Sequence, residues 1–488
     1  MVIRVNKMAV VTVFRIVSAL VAIIGTTFLI PILVALFCGE SAVLLAFIIP
    51  MIASWAFFLA VNLPFWKKKI ALDMRMTFIS VALAWIGAGF FGALPLWISG
   101  AIPSFTDAVF ESVSGFSTTG GTILSEIESL PRSINLWRCM THWLGGMGIV
   151  ALTVALLPLL GVGGFQLIKA ETTGPEKGKV TPKIATTAKF LWIIYMALTV
   201  LNVIFLMIFG MDFVDAISHA FATLGTGGFS SRNASIGAYN SLPIEITTTV
   251  FMLLAGVNFS MYYYLISGKI RDVYENSELK AYILICFFSV LFITLSNIGF
   301  YGTFGRSLRF SSFQVASIIT TTGFATADYT FWNSASQFLI FILFFIGGCS
   351  GSTAGGIKVI RWVVLGKQFN NETKRMLHPH GVFSIRLNGN PGRKDIVFSV
   401  AAFIMAYIML VMVTTLVACL GKVDLFSSFT GALSMVGNVG PAFGKLGPSC
   451  NYGFLPGFVK WFYSFAMLAG RLELYTMIIY FVPTFWKK

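Results

Sequence analysis

The sequence predicts an all-α integral membrane protein: two N-terminal transmembrane helices followed by four parallel repeats around a pseudo-fourfold axis. Each repeat is a span, a re-entrant loop and a second span. Three observations predict this. Of 488 residues, 57% are hydrophobic and 11% charged, against about 25% charged in an ordinary soluble domain, so a water-facing surface of this size could not be covered. The apolar residues come in long runs, as helices crossing a bilayer require, and not in the alternation of a β-barrel. A short Thr/Gly stretch also recurs between apolar spans: Ser117-Thr118-Thr119-Gly120-Gly121, Leu224-Gly225-Thr226-Gly227-Gly228, Thr320-Thr321-Thr322-Gly323-Phe324 and Gly437-Asn438-Val439-Gly440-Pro441.

The first apolar run begins near Val10 and passes Val34. It exceeds a signal-peptide core of about 7–15 residues and reads as a true span. By the length of about 20 apolar residues per crossing, residues 10–37 and 41–65 form the two N-terminal spans within a segment 1–70. Four units follow, at 71–168, 169–275, 276–372 and 373–488. Their glycines Gly120, Gly227, Gly323 and Gly440 lie 107, 96 and 117 residues apart, a spacing that indicates internal duplication. Two spans per unit return the chain to one side, so the units share an orientation and ten full spans are expected, unlike the inverted repeats of many transporters.

The net charge of +15 is distributed by topology. Lys67, Lys68, Lys69 and Arg75 precede unit one; Lys169, Lys177, Lys179, Lys183 and Lys189 precede unit two; Lys269, Arg271 and Lys280 follow it. Lys358, Arg361, Lys367, Lys374, Arg375, Arg386, Arg393 and Lys394 follow the third Thr/Gly stretch, and Lys487 and Lys488 end the chain. All fall on one side, which the positive-inside rule makes cytoplasmic. Both termini are then cytoplasmic, the Thr/Gly loops enter from outside, and no nucleic-acid partner is needed.

Each Thr/Gly stretch follows a short amphipathic run, at 104–117, 212–224, 311–321 and 424–436. These runs are too short to cross, so they enter and stop midway. Irregular backbone at that depth survives where it is buried in protein or lines a cavity. The half-helix C-termini carry partial negative charge and point at the loops. Backbone carbonyls are the usual ligands of a dehydrated monovalent cation, and glycine permits the dihedrals that aim them. No carboxylate lies in the four stretches, against a divalent-selective acidic ring. Asp107, Glu111, Asp215 and Asp424 lie near the half-helix starts, where they suit either the helix dipole or cation attraction at an outer mouth. Unit three offers Ser311 and Ser312 instead. The plainer alternative, ordinary external turns, does not account for an amphipathic half-span before each loop.

The second span of unit three is broken by Gly347-Gly348-Cys349-Ser350-Gly351-Ser352-Thr353-Ala354-Gly355-Gly356. Five glycines with Ser and Thr disfavour continuous helix. An intramembrane loop fits better than small residues serving only close helix packing. Arg471, within the last span, is costly to bury and therefore a functional candidate. Glu473, two residues on, does not share its helix face, so carbonyls of the 347–356 loop are the expected partners; a structural hydrogen-bond hub is the competing role. Lys460 is expected to snorkel to the outer interface. His219 reads as a polar half-helix residue, and His142, His378 and His380 suggest no metal site.

The stretches Ser114 to Gly120, Ala222 to Ser230, Ile318 to Tyr329 and Gly437 to Pro441, with His142 to Gly148 (HWLGGMG) and Gly347 to Arg361 (GGCSGSTAGGIKVIR), resemble the Trk/Ktr/HKT superfamily of potassium transporters over essentially the whole chain. The two extra N-terminal spans resemble its TrkH/TrkG branch. The resemblance implies a K+ filter at Thr118, Thr119, Gly120, Gly225, Thr226, Gly227, Thr321, Thr322, Gly323, Asn438, Val439 and Gly440. Glycine at all four filter positions implies potassium permeation, since plant members with Ser in the first favour sodium. Unit two (Gly225) and unit four (Asn438-Val439) depart from the Thr-Thr of the others, so the filter is only pseudo-fourfold. The resemblance also makes residues 347–356 a gate, with the arginine of Gly470-Arg471-Leu472-Glu473 held near it, and implies a homodimer and a TrkA-like nucleotide-binding RCK ring on the cytoplasmic face. The basic stretches 169–186 and 366–394 are docking surfaces for such a partner, unless they are purely topogenic.

The expected function is the potassium-translocating subunit of a Trk-type uptake system in a bacterial cytoplasmic membrane. The alternatives are an Na+- or H+-coupled symporter and an Na+-permeable channel of the same fold. Six cysteines without CxxC or a Cys/His cluster give no zinc, iron–sulfur or disulfide framework. There is no HExxH, no nucleotide-binding P-loop and no Ser/His pair on predicted adjacent helices, and Gly161 to Gly164 lack a following Rossmann pattern. No enzyme and no cofactor are expected, with K+ as the transported ion only.

Overall fold

The structure, a computed structural model, describes residues 7–66, 73–148, 184–388, 390–391 and 395–486. Lys67 to Lys69, residues 149–168 of unit one with Gly161 to Gly164, Lys169 to Lys183, Arg393, Lys394 and the last two lysines lie outside the described residues.

The first apolar run is α1 (Lys7–Thr27) and α2 (Leu29–Cys38), followed by α3 (Leu44–Asn62). Gly25 lets α1 and α3 approach closely, since a methyl there would sit 1.8 Å from Ser54 Oγ. Unit one contributes α4 (Met74–Ile98), α5 (Phe105–Phe116) and α6 (Arg132–Gly146). Unit two contributes α7 (Ile184–Ile208), α8 (Phe213–Leu224), α9 (Leu242–Ala255) and α10 (Phe259–Ile266). Unit three contributes α11 (Ser277–Ser296), α12 (Phe304–Ile319), α13 (Ser334–Leu343) and α14 (Val359–Leu377). Unit four contributes α15 (Ile396–Leu420), α16 (Leu425–Gly437) and α17 (Gly457–Arg471). The described strand content is one two-residue ladder, Arg386–Leu387 with Asn390–Pro391.

Among the described residues, six helices are long and apolar enough to cross a membrane, or seven if α9 and α10, which meet at 90°, count as one span. Ten full spans were expected, with the second span of unit three broken; the second spans are where the structure differs, since those of units two and four break as well. They bend or stop at Gly256–Asn258 in unit two, at Gly347–Lys358 in unit three and after Arg471 in unit four. The cause is local: Asn258 restarts the helix as an N-cap in unit two, the backbone is glycine-rich in unit three and left-handed at Glu473 and Leu474 in unit four, and each break leaves helical carbonyls and N–H groups that other elements must satisfy.

The short helices α5, α8, α12 and α16 are deeply enclosed, as is α6. Nearly every residue in their C-terminal halves is buried. The long first spans lie outside them with much exposed apolar surface, including Phe287, Phe288, Met405 and Met412. That inversion, with polar loops inside and apolar chains outside, is what a bilayer solvent demands.

Candidate functional site

Each half-helix starts on a side-chain cap. Ser104 accepts from Asp107 N–H, Asp212 from Val214, Thr303 from Arg306 and Asp424 from Ser427. Such caps stabilise a helix by about 0.5–2 kcal/mol each. In unit three the helix begins at Phe304, a full two turns before the expected 311, so Ser311 and Ser312 lie within it and not at its start. The cap that decides this is Thr303, which follows the turn at Gly302.

Each half-helix ends in the same way. Thr118, Thr226, Thr321 and Asn438 occupy the left-handed region, with φ of 57°, 53°, 54° and 54°. Their N–H groups donate three residues back, to Gly115, Thr223, Ile318 and Met435. The following N–H groups of Thr119, Gly227, Thr322 and Val439 donate five residues back, to Ser114, Ala222, Ser317 and Ser434. This is a Schellman closure, with threonine or asparagine where glycine is usual. A non-Gly residue held there costs about 1–3 kcal/mol and persists only when its surroundings enforce it. A second left-handed residue follows two positions on: Gly120, Gly228, Gly323 and Gly440, with φ of 79°, 80°, 81° and 100°.

This pattern corrects the register of loop two. The expected alignment placed Gly225-Thr226-Gly227 beside Thr118-Thr119-Gly120. The backbone instead aligns Thr226-Gly227-Gly228 with Thr118-Thr119-Gly120, Thr321-Thr322-Gly323 and Asn438-Val439-Gly440. Gly225 is the last right-handed residue of the half-helix end. Adjacent glycines hid the register in the sequence, because only the dihedrals distinguish them.

The four loops touch in chain order and close on themselves. A methyl group placed on Gly120 would sit 1.9 Å from Gly227 O, on Gly228 2.1 Å from Thr322 O, on Gly323 2.2 Å from Val439 O, and on Gly440 2.5 Å from Thr119 O. Each of these glycines is therefore fitted against a carbonyl of the next loop. Further bonds follow the same circuit. Phe229 N–H donates to His142 Nε2 at 3.1 Å, which leaves His142 Nδ1 to donate to Gly115 O at 2.8 Å. Gly237 N–H donates to Ala325 O, Tyr329 Oη to Ala442 O at 2.7 Å, and Tyr452 N–H to Thr122 O. Asn438 Nδ2 donates to Thr119 Oγ1 at 3.0 Å.

The acids near the half-helices are tied into the frame. Glu111 is buried against Arg138, with contacts of 2.9 and 2.6 Å, and also accepts from Thr122 Oγ1 and Ile123 N–H. Asp215 accepts from Ser231, Arg232 and Tyr239. Asp107 pairs with Lys460 at 2.6 Å. Lys460 is thus buried, 5% exposed, and does not snorkel: it also donates to Gly453 O. The pair joins α5 to α17, while Glu245 and Arg309, at 2.6 Å, join α9 to α12. His219 sits between Asp215 O and Ser230 Oγ. Among the described residues no group of His, Cys, Asp and Glu could hold a metal ion.

The 347–356 loop lies directly beside this ring. Its ends close through Gly347 N–H to Ile357 O and Val359 N–H to Gly348 O. It packs on the break between α9 and α10: Cys349 N–H donates to Gly256 O, Thr353 Oγ1 to Ala255 O, and Phe259 N–H to Gly351 O. Gly355 N–H donates to Thr321 Oγ1 at 2.6 Å, joining the loop to the third Thr/Gly stretch. Ser350, Ser352, Ala354 and Gly356 complete it; Lys358 Nζ donates to Ala354 O. Arg471 donates to Thr353 O at 2.7 Å, and to Gly145 O and Gly146 O at 2.7 Å each. Glu473 pairs with Arg361 at 2.6 Å, not with Arg471.

Several residues here were not legible in the sequence. His142, Gly145 and Gly146 stood in a noted motif, but nothing local says that they contact loop two and Arg471. Thr321 read as a loop residue without its link to Gly355. Glu278 carried no signal in the sequence.

Among the described residues, six helices of membrane length and an enclosed circuit of four carbonyl-bearing loops place the chain in the class of polytopic membrane proteins. The family model described as cation transport protein, TrkH, matches residues 48–303 and 302–488. The chain belongs to that family. It is 40% identical over 486 residues to the Trk system potassium uptake protein TrkH of Escherichia coli K12, covering 97% of this chain and 99% of that one. It is 35% identical over 467 residues to the TrkG protein of the same organism, covering 94% of each. The crystal structure of the potassium transporter TrkH from Vibrio parahaemolyticus superposes with a TM-score of 0.87 at 35% identity, covering 98% of this chain and all of that one.

Proposed function

We propose that the chain is the potassium-translocating membrane subunit of a Trk-type uptake system. Dehydrated K+ would bind between the four loops at Thr118-Thr119-Gly120, Thr226-Gly227-Gly228, Thr321-Thr322-Gly323 and Asn438-Val439-Gly440, then pass the 347–356 loop. The observation that carries this reading is the closed circuit in which each loop's glycine abuts a carbonyl of the next loop. Consecutive carbonyls replacing a hydration shell are how monovalent cations are selected. The half-helix C-termini add favourable dipole charge.

On this reading residues 71–168, 169–275, 276–372 and 373–488 are four repeats about one pore, and the 347–356 loop is a gate. Arg471 holds the gate at Thr353 and adds positive charge to the path. The orientation proposed from the basic loops places both termini in the cytoplasm of a bacterium. The family resemblance supports a homodimer and a TrkA-like nucleotide-binding ring at the cytoplasmic face.

The test is rubidium and sodium flux into proteoliposomes with and without Gly120→Ser. A hydroxymethyl group at Gly120 meets Gly227 O directly, so the Rb+/Na+ flux ratio should fall. A loss of about 1.4 kcal/mol in differential binding lowers it tenfold. An unchanged ratio would remove loop one from the selectivity filter.

A further inference from the structure

Glu278 stands in the first turn of α11, where an acid suits the helix dipole. That role is already filled. Asn276 caps α11 by accepting from Leu279 N–H at 2.9 Å. The Glu278 carboxylate turns to the intramembrane loop instead. One oxygen, Oε1, accepts from Ser350 N–H at 2.7 Å and from Ile360 N–H at 3.1 Å. The residue is 6% exposed.

Both N–H groups need an acceptor from elsewhere. The residue preceding α14 is Lys358, whose side chain has no acceptor and makes no cap. The opening turn of α14 would otherwise leave N–H groups orphaned in a buried site. A carboxylate accepting from backbone N–H forms bonds roughly twice as strong as neutral ones. The segment between the two tied points carries Thr353, bound by Arg471, and Gly355, bound by Thr321. Moving that segment requires the Glu278 bonds to break or α11 to move with it.

We propose that Glu278 is a positioning residue that latches the intramembrane loop in the closed state by tying both flanks of it to α11. The inference rests on the reading of this loop as a gate. It adds an anionic clamp, from a different helix, opposite the cationic hold of Arg471 and Lys358.

The experiment uses the full-length protein in proteoliposomes, as the parent, Glu278→Gln and Glu278→Ala. A water-soluble maleimide probes two native thiols by mass spectrometry: Cys349 in the loop, 1% exposed, and Cys139 in α6, fully buried. Cys349 reports release of the loop, and Cys139 reports the integrity of the fold. Basal rubidium flux is measured in parallel. The Ala variant should label Cys349 about tenfold faster or more, the order expected for losing a bond to a charged group. Its basal flux should rise while Cys139 stays protected. The Gln variant, whose neutral carbonyl still accepts, should show smaller rises in both. Cys349 labelling at the parent rate in both variants overturns the latch. Faster labelling of Cys349 without added flux upholds the latch and overturns the gate. Should the Ala variant expose Cys139, the Gln variant decides.

Discussion

At the residue scale, the left-handed threonines are the unusual feature. Thr118, Thr226 and Thr321 are β-branched yet hold φ near 55°, a conformation such residues rarely adopt. Burial and neighbouring loops enforce it, which keeps the strain at the proposed ion path. Their hydroxyls are used differently: Thr226 bonds its own loop and Thr321 bonds the intramembrane loop. The Glu111–Arg138 pair is the buried counterpart in the frame; removing either partner would leave a buried charge and cost about 3–5 kcal/mol. Arg471 was legible as a buried cation and its bond to a 347–356 carbonyl was expected, but Gly145 and Gly146 were not, because they lie over three hundred residues away in sequence. Arg471→Ala strips three carbonyls of their donor. Basal rubidium flux into proteoliposomes should rise several-fold, and an unchanged flux would leave Arg471 a structural hub.

At the scale of elements, the half-helices were readable and their limits were not uniformly so. Units one, two and four begin within a residue of the expected positions, since Ser104, Asp212 and Asp424 are strong N-cap signals. Unit three begins earlier on Thr303, because its polar face carries Arg306 and Arg309 and blurs the amphipathic edge. The glycine-rich break at 347–356 was visible as composition, whereas its packing on Gly256 and Thr321 required the tertiary structure. Gly355 shows how tight that packing is: a methyl there would lie 2.6 Å from Gly437 O and 2.8 Å from Asn438 Cβ. Gly355→Ala should push the loop off loops three and four. A several-fold rise in basal rubidium flux is the expected result; parent-like flux would show that the loop can yield without opening.

At the scale of the whole molecule, the units are bound together mostly by contacts between neighbours in chain order. Asp107–Lys460 and Tyr452–Thr122 join the last unit to the first, Glu245–Arg309 the second to the third, and Tyr329–Ala442 the third to the fourth. The proposed orientation is open to a direct check with exposed side chains. Cys450, beyond loop four, is exposed, and Lys374 is exposed on α14. In right-side-out membrane vesicles an impermeant maleimide should label Cys450 from outside, while a Lys374→Cys thiol should react only when the vesicles are inverted. The opposite pattern would reverse the topology.

Sequence alone determined the membrane class and the recurrence of the Thr/Gly stretches, from which the repeats and the filter are proposed. Those follow from composition, run length and recurrence, which are one-dimensional quantities that a bilayer and, on the proposed reading, a carbonyl filter impose directly. Tertiary structure decided the register of loop two, the fate of each charged group and the partners of the intramembrane loop. Adjacent glycines are interchangeable until φ separates them, and a buried Glu, Lys or Arg has no preferred partner until folding brings distant elements within hydrogen-bond reach.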